Sequence, residues 1–407
     1  MLQAMFSSIS SIKAHQVRMG VVGNNIANIN TTGFKAGRVT FQEMLSQTLR
    51  GASRPTGDGL GGTNAMQIGL GTQVGSIDTI LEQGSLQATN RVTDLAIQGN
   101  GFFAVSNGKR IAFTRDGNFD IDANGTLVHK ATGEKLVGWM PDATGTIDTN
   151  IPLGPQSVIT IPVGKTIAGQ ATTAASFKGN LALDGDSWTT SVMVYDAVGA
   201  PHELRLQFTR ASGSEWQLHY AVDGGPATAV SDLVTFDGNG RIIGGASPTI
   251  TFTPGNGSPD VSITLDLSRL TQLATSSTVE PIAQNGYPPG TLEQITVSPD
   301  GVINGVFTNG LNLPIARVAL AVFNNPGGLE RIGSNLFRES ANSGVANIGT
   351  AQTGGRGSIS SGYLEMSNAD IGNEFTNLIV TQRGFQANTR IVSTVDEMLQ
   401  DVLQMKR

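Results

Sequence analysis

The end of the chain shows a heptad pattern of apolar positions. Over residues 366–405, apolar side chains recur at every seventh position, and others occupy the intervening turn. The seventh-position set is Ile371, Leu378, Phe385, Val392 and Leu399, the intervening set is Phe375, Val395 and Val402, and the stripe is widened by Ile379, Ile391 and Met398. This spacing predicts one long amphipathic helix whose apolar stripe packs in a coiled coil.

The beginning of the chain carries a matching stripe, interrupted at Gln16 and Gly23. Its apolar members fall on alternating heptad positions: Leu2, Met5, Ile9, Ile12, Met19 and Ile26. A single narrow stripe buries too little surface to offset the ordering of an isolated helix. We therefore expect both ends to become ordered on assembly, packed against each other and against the ends of neighbouring chains. The alternative is an ordinary pair of terminal helices that closes a globular domain.

The segment after the first helix is rich in turn-forming residues. Asn and Gly residues at 24–33 predict that the helix ends there and that the chain turns before Phe34. Residues 36–50 are predicted to form a short second helix, from the spacing of Phe41, Met44, Leu45 and Leu49. Residues 50–75 are rich in Gly, Ser and Thr and are predicted to form a long loop.

The middle of the chain is predicted to be β structure. Short apolar runs separated by Gly or Asn-Gly turns occupy residues 74–130, 191–265 and 292–323. Pro and Gly cluster at residues 140–155 and 285–290, between these three sets of strands. The middle set is therefore predicted to be inserted between two halves of one β domain.

The predicted fold is a multidomain, mainly β protein with discontinuous nested β domains and terminal α-helices that form a coiled-coil core. The predicted boundaries are 1–30 and 362–407 for the terminal helical core, 31–75 and 341–361 for a linker region, 76–145 and 285–340 for an inner β domain, and 146–284 for an outer inserted β domain.

The composition argues against several kinds of site and several classes of protein. The sequence has 52 Gly, 16 Pro and only 14% charged residues, which suits many short strands and tight turns. It has no Cys, so it forms no disulfide and no thiolate metal site. A net charge of −6 argues against a nucleic-acid binder. No apolar run is long enough for membrane insertion, and the start lacks the pattern of a cleaved signal peptide.

Three patterns resemble ligand sites, but each has a simpler explanation. Residues 99–104 match a dinucleotide-binding glycine pattern, yet a strand follows where that site needs a helix. Residues 120–125 begin like a calcium loop, but Ala131 occupies the position of the essential Glu, and 237–240 is a similar turn. The four histidines lack metal-binding spacing. We therefore predict no cofactor, no metal and no enzymatic activity.

Several stretches resemble the bacterial flagellar rod and hook axial protein family. The first is NNIANINTTGFK at residues 24–35, which is similar to the N-terminal signature of that family and includes Asn28, Thr31, Gly33 and Phe34. The second is EFTNLIVTQRGFQAN at residues 374–388, which resembles its terminal helix. DLAIQGNGFF at 94–103 and TRDGNF at 114–119 resemble its shared β domain. TSVMVYDAVGAPH at 190–202 and NGYPPG at 285–290 resemble the hook branch.

The resemblance covers essentially the whole chain and implies a structural role. It implies an extracellular subunit that leaves through the flagellar type III export apparatus without a cleaved signal peptide. The subunit would polymerise into the curved tube that joins rod to filament and transmits torque as a universal joint. Its other implied partners are the distal rod protein, the hook cap protein and the hook–filament junction proteins.

Residues 45–72 depart from this pattern. They are longer than in the shortest hook proteins and resemble the extended linker of the distal rod protein, which forms a straight, stiff tube. Our hypothesis is that residues 47–72 pack between neighbouring subunits and stiffen the polymer. Two alternatives remain at this point: a distal rod-type subunit, and a secreted adhesin or enzyme that uses flagellar axial ends.

Overall fold

The fold is described from a computed structural model, over residues 2–54, 62–142, 145–164 and 166–405. The chain divides into two compact units. Unit 1 comprises Met1–Ile161, Ile295–Asn304 and Leu313–Arg407, and unit 2 comprises Pro162–Gln294 and Gly305–Asn312. Unit 1 therefore contains both ends of the chain, and unit 2 is built mainly from one continuous insertion.

The elements are named here in chain order. The first part contains α1 (Leu2–Ala27), β1 (Gly37–Glu43), β2 (Ser46–Arg50), β3 (Met66–Gly69), β4 (Thr72–Thr79), β5 (Leu86–Ala88), β6 (Leu95–Gln98), β7 (Phe102–Ser106), β8 (Ile111–Thr114), β9 (Phe119–Ile121), β10 (Leu127–His129), β11 (Lys135–Leu136) and β12 (Gly138–Trp139). The middle contains β13 (Thr166–Ile167), β14 (Ala174–Ala182), β15 (Ser187–Tyr195), β16 (Pro201–Ser212), β17 (Glu215–Val222), β18 (Thr228–Phe236), β19 (Ile242–Gly244), β20 (Thr249–Phe252), β21 (Val261–Leu273), β22 (Glu280–Gln284) and β23 (Gly290–Val297). The last part contains β24 (Val302–Phe307), β25 (Asn312–Val322), a 3-10 turn at Pro326–Gly328, β26 (Glu330–Gly333), β27 (Leu336–Arg338), β28 (Asn347–Thr350), β29 (Ser358–Ser361), β30 (Tyr363–Glu365) and α2 (Ile371–Gln404).

Unit 1 combines the two helices with antiparallel strands from both halves of the chain. Strand β7 pairs with β8, β11 and β25, and β25 also pairs with β12 and β28. Strands β29 and β30, which precede α2, pair with β6 and β5. The segments that lead into the C-terminal helix are therefore held by strands that follow the N-terminal helix.

A cluster of aromatic side chains forms one core of unit 1. Phe323 meets Phe113 edge to face with ring centroids 4.9 Å apart, and Phe102 meets Phe323 and Phe337 at 5.9 and 5.7 Å. Edge-to-face pairs stabilise a core beyond the area they bury. Because Phe323 and Phe337 follow the insertion in sequence, this core joins the two halves of unit 1.

Unit 2 is built around two sheets. One sheet has the order β20-β21-β14-β22, in which β14 and β21 are parallel, and the other has the order β15-β16-β17-β18-β19. The alternate residues Leu204, Leu206 and Phe208 of β16 are fully buried, and they share a core with Ile263 and Leu265 of β21. This period-two burial is what a half-buried strand requires.

The long terminal helices and the β middle are confirmed, with one shift of boundary. Helix α2 begins at Ile371 rather than at residue 366, because the Asp370 side chain caps it by accepting a hydrogen bond from the Asn373 amide at 2.8 Å. The prediction of a mainly β protein with a helix at each end agrees with the observed elements.

The prediction of a second helix over residues 36–50 is wrong. This segment forms β1 and β2, and the last part of the predicted loop after it forms β3 and the start of β4. Strand β1 pairs with β4, and the Thr40 and Ser76 hydroxyls lie 2.6 Å apart across that pair. A short apolar run does not distinguish helix from strand, and the partners of β1 and β2 lie outside the run, in β4 and β3. Residues 55–61 of the predicted loop lie outside the described residues.

Candidate functional site

The two terminal helices lie antiparallel within unit 1. Three side-chain hydrogen bonds set their register: the Asn25 amide donates to Glu374 at 3.0 Å, Arg18 donates to Asn377 at 3.1 Å, and the Asn388 amide donates to the Ser11 hydroxyl at 3.0 Å. Positions on α1 fall as their partners on α2 rise, which is the antiparallel arrangement.

Polar and small side chains form a row along each helix where the two meet. These are Ser11, His15, Arg18 and Asn25 on α1, and Glu374, Asn377, Thr381, Gly384 and Asn388 on α2, and Ser8 and Val22 are buried at the same spacing on α1. Thr381 is fully buried, and a Cβ added at Gly384 would lie 2.8 Å from the His15 ring. Small residues therefore allow the helices to approach closely at this point.

The end of α1 is followed by a turn that redirects the chain. The side-chain amide of Asn28 donates to the Asn24 carbonyl at 2.9 Å, and the Thr31 hydroxyl donates to the side-chain oxygen of Asn28 at 3.1 Å. Gly33 has a φ of +65°, and a Cβ there would lie 2.5 Å from the Asp116 backbone nitrogen. A residue with a side chain would be strained by its conformation and would also clash, so this turn requires glycine.

Phe34 and Gly33 fix this turn to the rest of unit 1. Phe34 is buried, with the Arg331 guanidinium 5.5 Å from its ring centroid. The Gly33 amide donates to the Glu365 carbonyl at 2.7 Å. The structure therefore brings the predicted turn residues Asn28, Thr31, Gly33 and Phe34 together and joins them to the segment that enters α2.

A buried ion network lies directly after this turn. The Lys35 ammonium contacts one oxygen of Glu365 at 2.5 Å, and the Arg115 guanidinium contacts the other oxygen at 3.3 Å. The Gly84 amide also donates to Glu365 at 2.9 Å, and Lys35 donates to the Glu82 carbonyl at 2.7 Å. The Lys35 and Glu365 side chains are fully buried. Burial lowers the pKa of Lys35, and the charge of Glu365 opposes that shift.

This network connects three distant parts of the sequence. Lys35 follows α1, Arg115 follows β8, and Glu365 lies 330 and 250 residues from them in sequence. A charged group removed from water is tolerated when opposite charges and hydrogen bonds surround it. The network therefore fixes the position at which both terminal helices leave the β strands of unit 1.

Asn25 joins both helices to β1. Its amide donates to the Gly37 carbonyl at 2.8 Å and to Glu374 at 3.0 Å, while its oxygen accepts from the Gly37 amide at 2.9 Å. Asn25 is 1% exposed. The Asn25 side chain thus contacts both α2 and the first strand of the β structure.

Family models match along most of the chain. Residues 7–35 match the model described as "Flagella basal body rod protein", and residues 96–173 match "Flagellar hook protein FlgE/F/G D1 domain". Residues 165–287 match "Flagellar basal body protein FlaE D2 domain", and residues 360–405 match "Flagellar basal body rod FlgEFG protein C-terminal".

Curated relatives decide the family. Proteins named flagellar hook protein FlgE from Treponema pallidum (strain Nichols) and Borreliella burgdorferi are each 38% identical to this sequence, with 100% of both chains covered. The chain belongs to the flagellar hook protein family. A protein named flagellar basal-body rod protein FlgG from Bacillus subtilis is 32% identical, also over 100% of both chains.

A solved structure supports the fold. A crystal structure of Helicobacter pylori flagellar hook protein FlgE2 matches with a TM-score of 0.56 and 16% sequence identity, over 69% of this chain and 100% of that one. The predictions of a flagellar hook protein and of a multidomain, mainly β fold with terminal helices are confirmed. As a member of this family, the chain is a component of the flagellum.

The apolar stripe predicted on α1 lies beside the polar contact face, one position further along. Leu2 is 57% exposed, and the other members are partly buried: Met5, Ile9, Ile12, Met19 and Ile26. Sequence reasoning missed the polar face, although it repeats with the same heptad spacing. A search for apolar periodicity does not detect these residues, because they are small or form hydrogen bonds within this hook-family chain.

The predicted stripe on α2 is divided between buried and exposed positions. Val395 is buried, and four others are partly buried: Leu378, Phe385, Val392 and Leu399. Ile371, Phe375 and Val402 are 54%, 49% and 51% exposed. Apolar surface on the outer side of the pair is thus open to a partner.

The glycine pattern and the calcium-loop pattern noted in the sequence form turns in the structure. Gly99 and Gly101 have φ values of +100° and +133° in the turn between two strands. Asp122 accepts hydrogen bonds from the Asn124 and Thr126 amides at 2.9 and 2.7 Å, which closes a turn. Among the described residues, no group of three or more potential ligands is placed to hold a metal. No helix in the described ranges is long and apolar enough to cross a membrane.

Proposed function

We propose that this hook-family chain is a structural subunit that polymerises through its terminal helices into the curved tube that transmits torque from rod to filament. One observation carries the proposal: hydrogen bonds between polar side chains join the two helices, and apolar side chains such as Ile371 and Phe375 are left about half exposed. Burying a large apolar side chain contributes about 1.5 to 3 kcal/mol, so a polymer contact over these positions would be strongly stabilising.

The packing residues of this proposal are the apolar members of both stripes. The set on α1 is Leu2, Met5, Ile9, Ile12, Met19 and Ile26, and the set on α2 is Ile371, Phe375, Leu378, Phe385, Val392, Val395, Leu399 and Val402. The network at Lys35 and Glu365 supports them, because it holds the base of both helices in place. The proposed layers are residues 1–30 and 362–407 at the polymer core, then 31–75 with 341–361, then 76–145 with 285–340, and finally 146–284.

The location and the specific partners in this proposal follow from membership of the family. We propose an extracellular location, export through the flagellar type III apparatus, and contacts with the distal rod protein, the hook cap protein and the hook–filament junction proteins. The role is structural rather than enzymatic, and no cofactor is required. A hook subunit is preferred to a distal rod subunit because the two FlgE relatives are 38% identical, against 32% for the FlgG relative.

The proposal predicts that Ile371→Ser will raise the critical concentration for polymerisation about tenfold. Ile371 is 54% exposed in the single chain, so burying the exposed part contributes about 0.8 to 1.6 kcal/mol to the polymer contact, and Ser and Ile have similar helix propensities. The measurement is sedimentation of the purified chain over a concentration series, with electron microscopy of the pellets. Ile243→Ser is the matched control, since Ile243 is 71% exposed in unit 2 and lies outside the helices. Equal critical concentrations for the two variants would contradict the proposal.

A further inference from the structure

A wide apolar groove runs along α1, on the side that faces the segments around β2 and β4. It has a volume of about 830 Å³ and lies between the first half of α1 and the segments around β2 and β4. Its apolar lining is Phe6, Ile9 and Val17 from α1, and Met44, Leu70 and Val74 from the strand side. Phe6 is 64% exposed and Met44 is 46% exposed, so the groove is open along its length.

The end of α2 carries an apolar stripe of its own. Because Ser11 lies beside Asn388 in the antiparallel pair, the first residues of α1 lie beside residues near 397 of α2. Met398, Val402 and Met405 therefore extend past α1, and they are 48%, 51% and 87% exposed. Their spacing of four and three places them on one face of the helix.

This α2 end does not reach the groove of its own chain. The groove runs along α1 from Gln3 to Val17, which lie beside residues near 396 and 382 of α2. Residues 398–405 lie beyond the Gln3 end of the groove, where α2 continues away from it. Any α2 end that fills the groove must therefore come from a second copy of the chain.

The charges of the two surfaces are complementary. Lys13 lies in the groove, is exposed, and has no ion pair among the described residues. The first acidic residue of the chain is Glu43, so α1 contributes no acid to the groove. Glu397 and Asp401 lie one turn apart on α2, along one edge of the exposed apolar stripe.

We propose that the end of α2 from a second copy seats in this groove, with Met398, Val402 and Met405 on the apolar lining and Asp401 near Lys13. This inference rests on the polymer proposed above and specifies one of its contacts. The groove is thus an acceptor and the α2 end a donor, so each subunit uses both surfaces once. Such a head-to-tail contact produces a helical polymer rather than a closed dimer.

The first test is a disulfide between separately substituted chains. The sequence has no Cys, so any disulfide reports the introduced residues alone. Chains carrying Val402→Cys are copolymerised with chains carrying Gln3→Cys or Val17→Cys, one at each end of the groove. Oxidation is expected to give a heterodimer band with at least one of the two acceptors. Val198→Cys is the control acceptor, because Val198 is 61% exposed but lies in unit 2. A polymer in which neither groove position reacts more than the control would overturn the seating.

The second test reverses the charges. Lys13→Glu or Asp401→Lys alone places like charges together, and each is expected to raise the critical concentration about fivefold. The double variant restores opposite charges and is expected to return within about twofold of the wild type. Lys109→Glu makes the same charge change at an exposed residue away from the groove. Single variants that match this control, or a double variant as poor as the worse single variant, would contradict the groove contact. Failure of the unmodified chain to polymerise would instead contradict the proposed function.

Discussion

Lys35→Met will lower the free energy of unfolding of unit 1 by about 3 kcal/mol. The change leaves the fully buried Glu365 carboxylate with Arg115 at 3.3 Å as its remaining cation. Removing one partner of a buried ion pair costs about 3 to 5 kcal/mol, and the remaining guanidinium keeps the loss near the lower limit. The measurement is native-state hydrogen exchange of β7 and β8 in increasing urea, which reports unit 1 separately from unit 2.

A control variant and a double variant distinguish the loss of the ion network from the general effect of removing a lysine. Lys109→Met removes an exposed ammonium and is expected to change the free energy by less than about 0.5 kcal/mol. Adding Glu365→Gln to Lys35→Met removes the unpaired charge, so the double variant should lose less stability than the sum of the two single changes. Strict additivity, or a loss below about 1 kcal/mol for Lys35→Met, would show that the network does not hold the base of the helices.

Gly33→Ala will destabilise unit 1 by about 2 to 5 kcal/mol. The φ of +65° costs a residue with a Cβ about 1 to 2 kcal/mol, and the clash with the Asp116 backbone at 2.5 Å adds about 1 to 3 kcal/mol. Backbone atoms on the neighbouring segment cannot move aside as a flexible side chain does. The same hydrogen-exchange measurement gives the change in free energy.

Gly133→Ala isolates the conformational part of this loss. Gly133 has a φ of +71°, and an added Cβ would meet nothing within 4 Å. Its expected loss is about 1 kcal/mol, from conformation alone. If the two alanine variants lose the same stability, the close approach of Gly33 to Asp116 does not constrain the turn.

The helices and about half of the strands were predictable because their signals are local. The heptad positions of α2 and the Asn-Gly turn between β9 and β10 lie within short windows of sequence. Residues 36–50 were assigned to the wrong element because the β1–β4 ladder depends on residues that are distant in sequence. Element type in such a segment is decided by tertiary pairing rather than by local propensity.

The turn of the candidate site could be predicted from the sequence, but the contacts between its distant residues could not. Asn28 and Gly33 were identified because turn chemistry restricts the residue types that fit. The pairing of Lys35 with Glu365 spans 330 residues, and spacing alone contains no signal for it. The polar helix face around Ser11 and Asn388 was missed because hydrophobic periodicity detects burial, whereas these residues form contacts by hydrogen bonding.

The most direct test of the central claim is hydrogen exchange of α1 and α2 in the dilute chain and in the assembled polymer. If the terminal helices form the contacts between subunits, amides within Leu2–Ala27 and Ile371–Gln404 will exchange slowly in the polymer and at least about a hundredfold faster in the dilute chain. The strands of unit 2 will exchange at similar rates in both states. Equal protection of both helices before and after assembly would contradict the account, because the helices would then only close the fold of a single chain.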